Sequence, residues 1–255
     1  EENRSVISKI LPKVLRFSHH RSNLAVIFQN GEDKFLFRKH HIIREEQVYM
    51  IKGSGVNLQQ FCYTPEPESG KIRVLLTARM IMEKGIFILT DAAIKLKEKY
   101  RDKVQFLLCG GLDDNPKAIK EEDLKRVCDG EYIQWLGYRT DVLSLLKDCH
   151  IVAFPSYYKE GLPKSLIEAT AVGRPIITTD SIGCKETVIE GYNGYLIPVQ
   201  DSETLADRLE ILIEDKALRQ KMGKNSRCLA EKDFSIENVI AKHLEIYEIL
   251  MTGNL

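Results

Sequence analysis

The sequence has no excess of charge of either sign: Lys and Arg total 37, and so do Asp and Glu, across its 255 residues. Nothing at the level of the whole chain therefore draws it to nucleic acid or to an anionic membrane, although a local basic site stays open. It also has no Cys-x-x-Cys pair. The six cysteines (Cys62, Cys109, Cys128, Cys149, Cys184 and Cys228) are scattered, and Cys109 and Cys149 lie in or beside apolar runs where they serve as small hydrophobes. Reduced thiols in a cytoplasmic protein are the expectation. No apolar run approaches the roughly 20 residues of a spanning helix, and Glu1-Glu-Asn-Arg4 does not open a signal peptide. If the protein works at a membrane, it works from the surface. There is no internal repeat, no low-complexity tract and no Asp-x-Asp metal motif. His19-His20 and His40-His41 are adjacent pairs whose side chains diverge, and no Cys or acid completes a ligand set around them, so no metal is expected.

What is present is a hydrophobic content of 44%, enough for a real core, arranged in a regular alternation. An apolar run at 24–28 is followed by a turn and cap at 29–33, a helical stretch to about His41 and a strand over 48–51. Thr64-Pro-Glu-Pro-Glu-Ser-Gly70 is the most linker-like segment, so a compact domain is expected from about Lys71. From there the pattern predicts strands over 72–78, 104–109, 132–135, 151–154, 175–178 and 195–197. Helices are predicted between them over 86–99, 116–128, 139–147 and 163–172, with a helical turn over 185–189. Near-continuous apolar strands alternating with amphipathic helices predict an α/β fold with a doubly wound, Rossmann-like parallel sheet. Three C-terminal helices, over 202–213, 216–231 and 236–251, complete the chain.

The chain is organised around Glu160-Gly-Leu-Pro-Lys-Ser-Leu-Ile-Glu168, which joins the strand at 151–154 to a helix that Gly173 ends. Glu160 then sits in the loop at the strand's C-terminal end, with Glu168 about two turns along the helix. That edge of an open α/β sheet is where ligands bind, and the amides of Gly161, Leu162, Lys164 and Ser165 at a helix N-terminus suit an anion. The two carboxylates would accept hydrogen bonds from hydroxyls on uncharged parts of the same ligand, which suggests a phosphorylated sugar or nucleotide. Arg79 and Lys84 flank the turn after the first strand of the domain and suit a diphosphate, Arg79 as a planar fork and Lys84 as a point charge.

The Glu, seven residues, Glu pattern followed by Gly173-Arg-Pro175 resembles the signature of a large family of retaining GT-B glycosyltransferases that use nucleotide-sugar donors. Further motifs resemble that family in order and spacing: Gly-Val-Asn at 55–57, Arg79 through Lys84-Gly85, Cys109-Gly110-Gly111, Gly137-Tyr138 and Gly183-Cys-Lys-Glu186. The last is similar to a variant found in members that build bacterial capsule, O-antigen or lipid-linked glycans, with Lys185 standing where Arg is usual. The resemblance implies that residues 71–255 are a nucleotide-sugar donor-binding domain, the C-terminal half of a GT-B fold. Residues 1–60 would be the tail of an N-terminal acceptor domain with its interdomain segment, and 61–70 a linker. By the same resemblance the catalytic residues are Glu160, Arg79 and Lys84. The donor and nucleotide are held by Gly110, Gly137, Tyr138, Gly161, Leu162, Lys164, Ser165 and Glu168, and Trp135 belongs to the core. The implied partners are a nucleoside diphosphate sugar, as substrate, and a glycan or glycolipid acceptor. No nucleic acid and no metal cofactor is implied, and any contact with the inner face of the membrane would be peripheral, through the acceptor half. Two other readings stay open at this stage: a nucleotide-sugar-binding subunit completed by a separate acceptor chain, and a nucleotide-sugar epimerase on the same fold.

Overall fold

A computed structural model of the protein describes residues 2–21 and 23–253, residues 2–9 by their backbone alone. The chain opens with α1 (Glu2–His19), then β1 (Val26–Phe28), α2 (Gly31–Lys39) and β2 (Val48–Met50). β1 and β2 pair in parallel, Val26 opposite Val48, as a small two-stranded sheet. α2 starts where the turn residues predict, because the Asn30 side chain caps it by accepting the Asp33 amide at 2.8 Å. The alternating pattern begins only after α1, and that helix, with Pro12 inside it, is a finding of the structure.

The main body follows with β3 (Ile72–Thr77), α3 (Ile86–Tyr100), β4 (Val104–Cys109), α4 (Glu121–Val127), β5 (Ile133–Trp135), α5 (Val142–Asp148), β6 (Ile151–Phe154), α6 (Lys164–Val172), β7 (Ile176–Thr179), β8 (Gly194–Ile197), α7 (Ser202–Glu214), α8 (Lys216–Leu229) and α9 (Ile236–Thr252). Every ladder in the larger sheet is parallel, in the order β5-β4-β3-β6-β7-β8. β6 and β7 are buried along their whole length, which is why their sequences run apolar without alternation. Helices flank the sheet. α3 packs on α7, where the Tyr100 hydroxyl bonds Glu210 at 2.8 Å and Glu214 at 2.5 Å, and α6 packs on α5 and α8. The doubly wound α/β sheet of the sequence reading is thus present, and its order reverses between β3 and β6, the switch point at which such sheets bind ligands.

Several boundaries differ from expectation for local reasons. The helix predicted over 116–128 is only α4, because the polar run before it closes into side-chain turns. Asp113 accepts the Asn115 amide at 2.8 Å, Asn115 accepts the Lys117 amide at 2.9 Å, and Ala118 bridges to Ile81. The helix predicted from Arg139 starts at Val142, since Arg139 and Asp141 pair with each other instead. The helix predicted through Glu231 ends at Leu229 and passes into a single π turn, Ala230–Phe234, whose Phe234 carbonyl accepts the Val56 amide at 2.8 Å.

The proline-rich stretch at 61–70 lies against the domain. The Thr64 amide donates to the Val172 carbonyl at 3.1 Å, and Glu66, buried, bonds the guanidinium of buried Arg219 at 2.8 and 3.3 Å. Among the described residues no helix is long and apolar enough to cross a membrane. α9 leaves an apolar strip in solvent, with Ile240, Leu244 and Tyr247 each half exposed, and α1 does the same with Val14 and Phe17.

Candidate functional site

The switch point is built by two strand ends. β3 runs into Ala78 and Arg79, and β6 into Pro155 and Ser156. Between them the chain enters α3 through Gly85, in the left-handed region at φ 77°, where a Cβ would collide with the Pro155 carbonyl. Only glycine brings the N-terminus of α3 this close to the end of β6. Gly110, after β4, is fixed the same way: a Cβ there would strike the Ala78 carbonyl, its amide donates to the Gly137 carbonyl at 2.9 Å, and its own carbonyl accepts the Trp135 indole at 2.9 Å. The two glycines named separately from sequence therefore form one braced turn, with half-buried Trp135 as its strut.

The ends of β3 and β4, the turn at Tyr138 and the start of α6 enclose a cleft of about 230 Å³ lined by Thr77, Arg79, Gly110, Tyr138, Ser165 and Glu168, among others. Glu168 projects into it from α6 with its side chain 13% exposed. Burial pushes its carboxyl above the usual range, and Lys164, 3.7 Å away on the next turn, pulls the other way. Tyr138 stands 77% exposed at the rim, a large flat ring with nothing covering it. Arg79 reaches across to Asp113 at 2.7 Å and remains 61% exposed while Asp113 is nearly buried.

Beside the cleft, Lys84 and Glu160 form an ion pair that also takes a 3.3 Å hydrogen bond from the Ser156 hydroxyl to Glu160. Both are almost out of solvent, at 11% and 14% exposure. The ammonium also lies 5.6 Å from the Phe154 ring centre and 5.1 Å from that of Tyr158, cation–π contacts that hold it at the edge of the sheet. Glu160 and Gly161 line a second cavity of about 410 Å³, which they share with Glu32, Asp33, Phe35 and Leu36 of the N-terminal segment. The two glutamates of the motif thus line different spaces, Glu168 the first and Glu160 the second. No side chain caps α6, and among the described residues the amides of Gly161, Leu162, Lys164 and Ser165 have no protein acceptor.

Of the residues named from sequence, Arg79, Gly110, Tyr138, Ser165 and Glu168 share the first cleft, and Glu160 and Gly161 the second. Lys84 joins the second through Glu160. Gly137 contributes its carbonyl to the braced turn. The Leu162 side chain packs with Val56, Ile167 and Ala171, so only its backbone faces the helix end, and the Lys164 side chain is 70% exposed. Lys185 lines neither space but pairs with Glu32, a wall of the second, and, at 3.8 Å, with Asp180. Asp113, Ser156 and Thr77 were missed; only their positions just after or within a strand's C-terminal end could have flagged them. Among the described residues no three His, Cys, Asp or Glu side chains gather as a metal-ligand set.

Known proteins share this sequence pattern and this fold. A sequence profile described as Glycosyl transferases group 1 covers residues 64–228. An N,N'-diacetylbacillosaminyl-diphospho-undecaprenol alpha-1,3-N-acetylgalactosaminyltransferase of Campylobacter jejuni is 32% identical over 96% of this chain, and the chain spans 64% of that relative's length. Among solved structures, a glycosyltransferase from Rickettsia africae superposes with a TM-score of 0.81 at 22% identity, over 94% of this chain and 67% of its own. The C-terminal domain of a group 1 family glycosyl transferase from Francisella tularensis superposes with a TM-score of 0.61 at 26% identity, over 71% of this chain and all of its own. With the family's profile matching residues 64–228 and a relative 32% identical over 96% of the chain, the chain belongs to the group 1 glycosyl transferases, a GT-B family.

Proposed function

We propose that this chain is the donor-binding half of a retaining glycosyltransferase that moves a sugar from a nucleoside diphosphate to a lipid-linked glycan. The observation that carries the reading is the convergence at one switch point of two cations, two carboxylates and an uncapped helix start. Arg79 and Lys84 would grip the diphosphate, assisted by the amides of Gly161, Leu162, Lys164 and Ser165. Glu168 would accept from the ribose hydroxyls, and Glu160 from hydroxyls of the transferred sugar. The turn at Gly110 and Gly137, with Tyr138 at the rim, would take the nucleobase. As the bond from anomeric carbon to phosphate oxygen breaks, negative charge grows on the leaving diphosphate, and donors already aimed there favour the transition state over the bound donor. The reading assigns that charge to Arg79, Lys84 and the amides and asks for no metal ion.

The acceptor follows from the Campylobacter relative, whose name specifies an undecaprenol-diphosphate-linked sugar. On this reading the acceptor is met at the inner membrane surface, residues 71–255 form the donor domain, and 1–60 form the end of the acceptor half. Calorimetry with UDP, GDP and ADP should then give binding of at least one in the micromolar to millimolar range, and residues 1–255 alone should transfer no sugar. Supplied with an acceptor half, the product should keep the donor's anomeric configuration by NMR. Absence of any nucleoside diphosphate binding at millimolar concentration overturns the proposal.

A further inference from the structure

We propose that Thr77 is a specificity-determining residue of the cleft, its hydroxyl reserved for a hydrogen bond to the nucleoside end of the donor. The inference rests on the donor-binding reading above. Six threonines are buried among the described residues: Thr77, Thr90, Thr170, Thr178, Thr179 and Thr187. Five of them satisfy their hydroxyl on a backbone carbonyl, namely those of Phe87 for Thr90, Ile167 for Thr170, Phe154 for Thr178, Ser156 for Thr179 and Cys184 for Thr187. Thr77 is the exception, with its Oγ1 out of solvent and without a partner. Valine has nearly the same shape and would avoid the penalty of a buried hydroxyl left unpaired, so the stability of the fold gives no reason for threonine here.

The position supplies a reason. Thr77 is the last residue of β3, paired with Cys109 of β4, and its small remaining exposure belongs to the lining of the cleft that holds Glu168, Ser165 and Tyr138. It lines the same cleft as Arg79, which follows two residues on, just beyond the end of β3. A ligand whose phosphates meet Arg79 and whose ribose meets Glu168 would carry its nucleoside past Thr77. Rotation about χ1 exchanges the positions of hydroxyl and methyl without moving the backbone, so the group can turn to a ligand atom and either donate or accept. A hydroxyl at this depth discriminates between nucleosides because a ligand lacking the matching group leaves it unpaired in a dry site.

The experiment compares wild type, Thr77→Val and Thr77→Ser by calorimetry, using whichever of UDP, GDP and ADP binds wild type most tightly and the corresponding monophosphate. Thr77→Val should weaken both nucleotides by the same roughly three- to tenfold factor, the range of one neutral hydrogen bond. Its melting temperature without ligand should equal or exceed that of wild type, because an orphaned hydroxyl is gone. Thr77→Ser should bind within about twofold of wild type. Binding by Thr77→Val within twofold of wild type overturns the inference while leaving the donor-binding reading intact. A lower melting temperature for Thr77→Val also overturns it, by showing that the hydroxyl serves the fold. Wild type that binds none of the nucleotides overturns the donor-binding reading itself, and this inference with it.

Discussion

Glu160 and Lys84 give the sharpest test, because the structure has each satisfying the other at a place where both would be wanted by a ligand. A bare nucleoside diphosphate can engage Lys84 only by competing with Glu160, and it brings no sugar hydroxyl to occupy the carboxylate that it displaces. Glu160→Gln removes the competitor's charge and keeps its shape. Two unit charges about 4 Å apart interact by about 4 kcal/mol at an effective dielectric of 20, and relaxation and the remaining solvent reduce that, so a gain of about 1–2 kcal/mol in diphosphate affinity is the working figure. Isothermal titration should therefore show the bare diphosphate binding roughly five- to thirtyfold more tightly to the variant. The corresponding nucleotide sugar should gain less or lose, because the amide is a weaker acceptor for its hydroxyls. In the variant Lys84 keeps an amide oxygen to donate to, along with the Phe154 and Tyr158 rings, so the fold should lose only about 1–2 kcal/mol, a fall in Tm of about 2–8 °C for a chain of this size. Unchanged or weaker binding of the bare diphosphate by a folded Glu160→Gln protein would refute the competition argument.

Arg79→Ala should weaken the same diphosphate by about 1.5–3 kcal/mol, the range for a charged hydrogen bond, with a small loss of Tm, since Arg79 is 61% exposed and Asp113 keeps the Asn115 amide; equal affinity removes it from the site. Glu168 accepts from a ribose most strongly as a carboxylate, and burial raises its pKa, so affinity should fall on acidification at a pH above that of an ordinary glutamate, and this step should be missing from an already weakened Glu168→Gln. His150, buried, is held down to about 4 from 6.5, chiefly by burial and against the pull of Glu66. The unfolded chain then binds its proton first as pH falls, so stability should drop by about 3 kcal/mol between about pH 6.5 and 4. Urea midpoints of wild type and His150→Asn should converge across that window, and parallel curves would refute the assignment.

What the sequence made legible is what local spacing determines. Seven residues separate Glu160 from Glu168, and a helix beginning between them fixes where each can point; Gly173 ends that helix as read, and the structure has it in the left-handed conformation. Pairings made across the fold were not legible. Arg79 is 34 residues from Asp113, Lys84 is 76 from Glu160 and Arg219 is 153 from Glu66, and no periodicity connects such residues. The first two pairings decide how the site behaves before any ligand is considered, since they leave the cations that sequence reading counts as free already neutralised. The polar run at 113–117 misled for the opposite reason: its side chains bond their own backbone at short range, a competition that helix propensity alone does not register.

The two edges of the sheet spend charge differently, and the difference explains how a chain of zero net charge can carry an anion site. At the N-terminal edge Arg174 is fully buried, its guanidinium held by the carbonyls of Leu146 and Thr64, each at 2.8 Å, with Lys147 and Pro65 at 3.2 and 3.3 Å. Arg219 is held by Glu66 and by the carbonyls of Leu212 and Ile213 at 2.7 and 3.0 Å. Those backbone acceptors are fixed by the strands and helices around them, so these cations have nowhere else to go, and removing one acceptor leaves a charge stranded in a dry place. At the C-terminal edge the partners of Arg79 and Lys84 are side chains, Asp113 and Glu160, which can swing away by rotamer changes alone. A negatively charged ligand can replace them without disturbing a backbone bond. Exchangeable pairs at one edge and locked ones at the other let the same sheet be rigid where it is held together and responsive where the donor is proposed to bind.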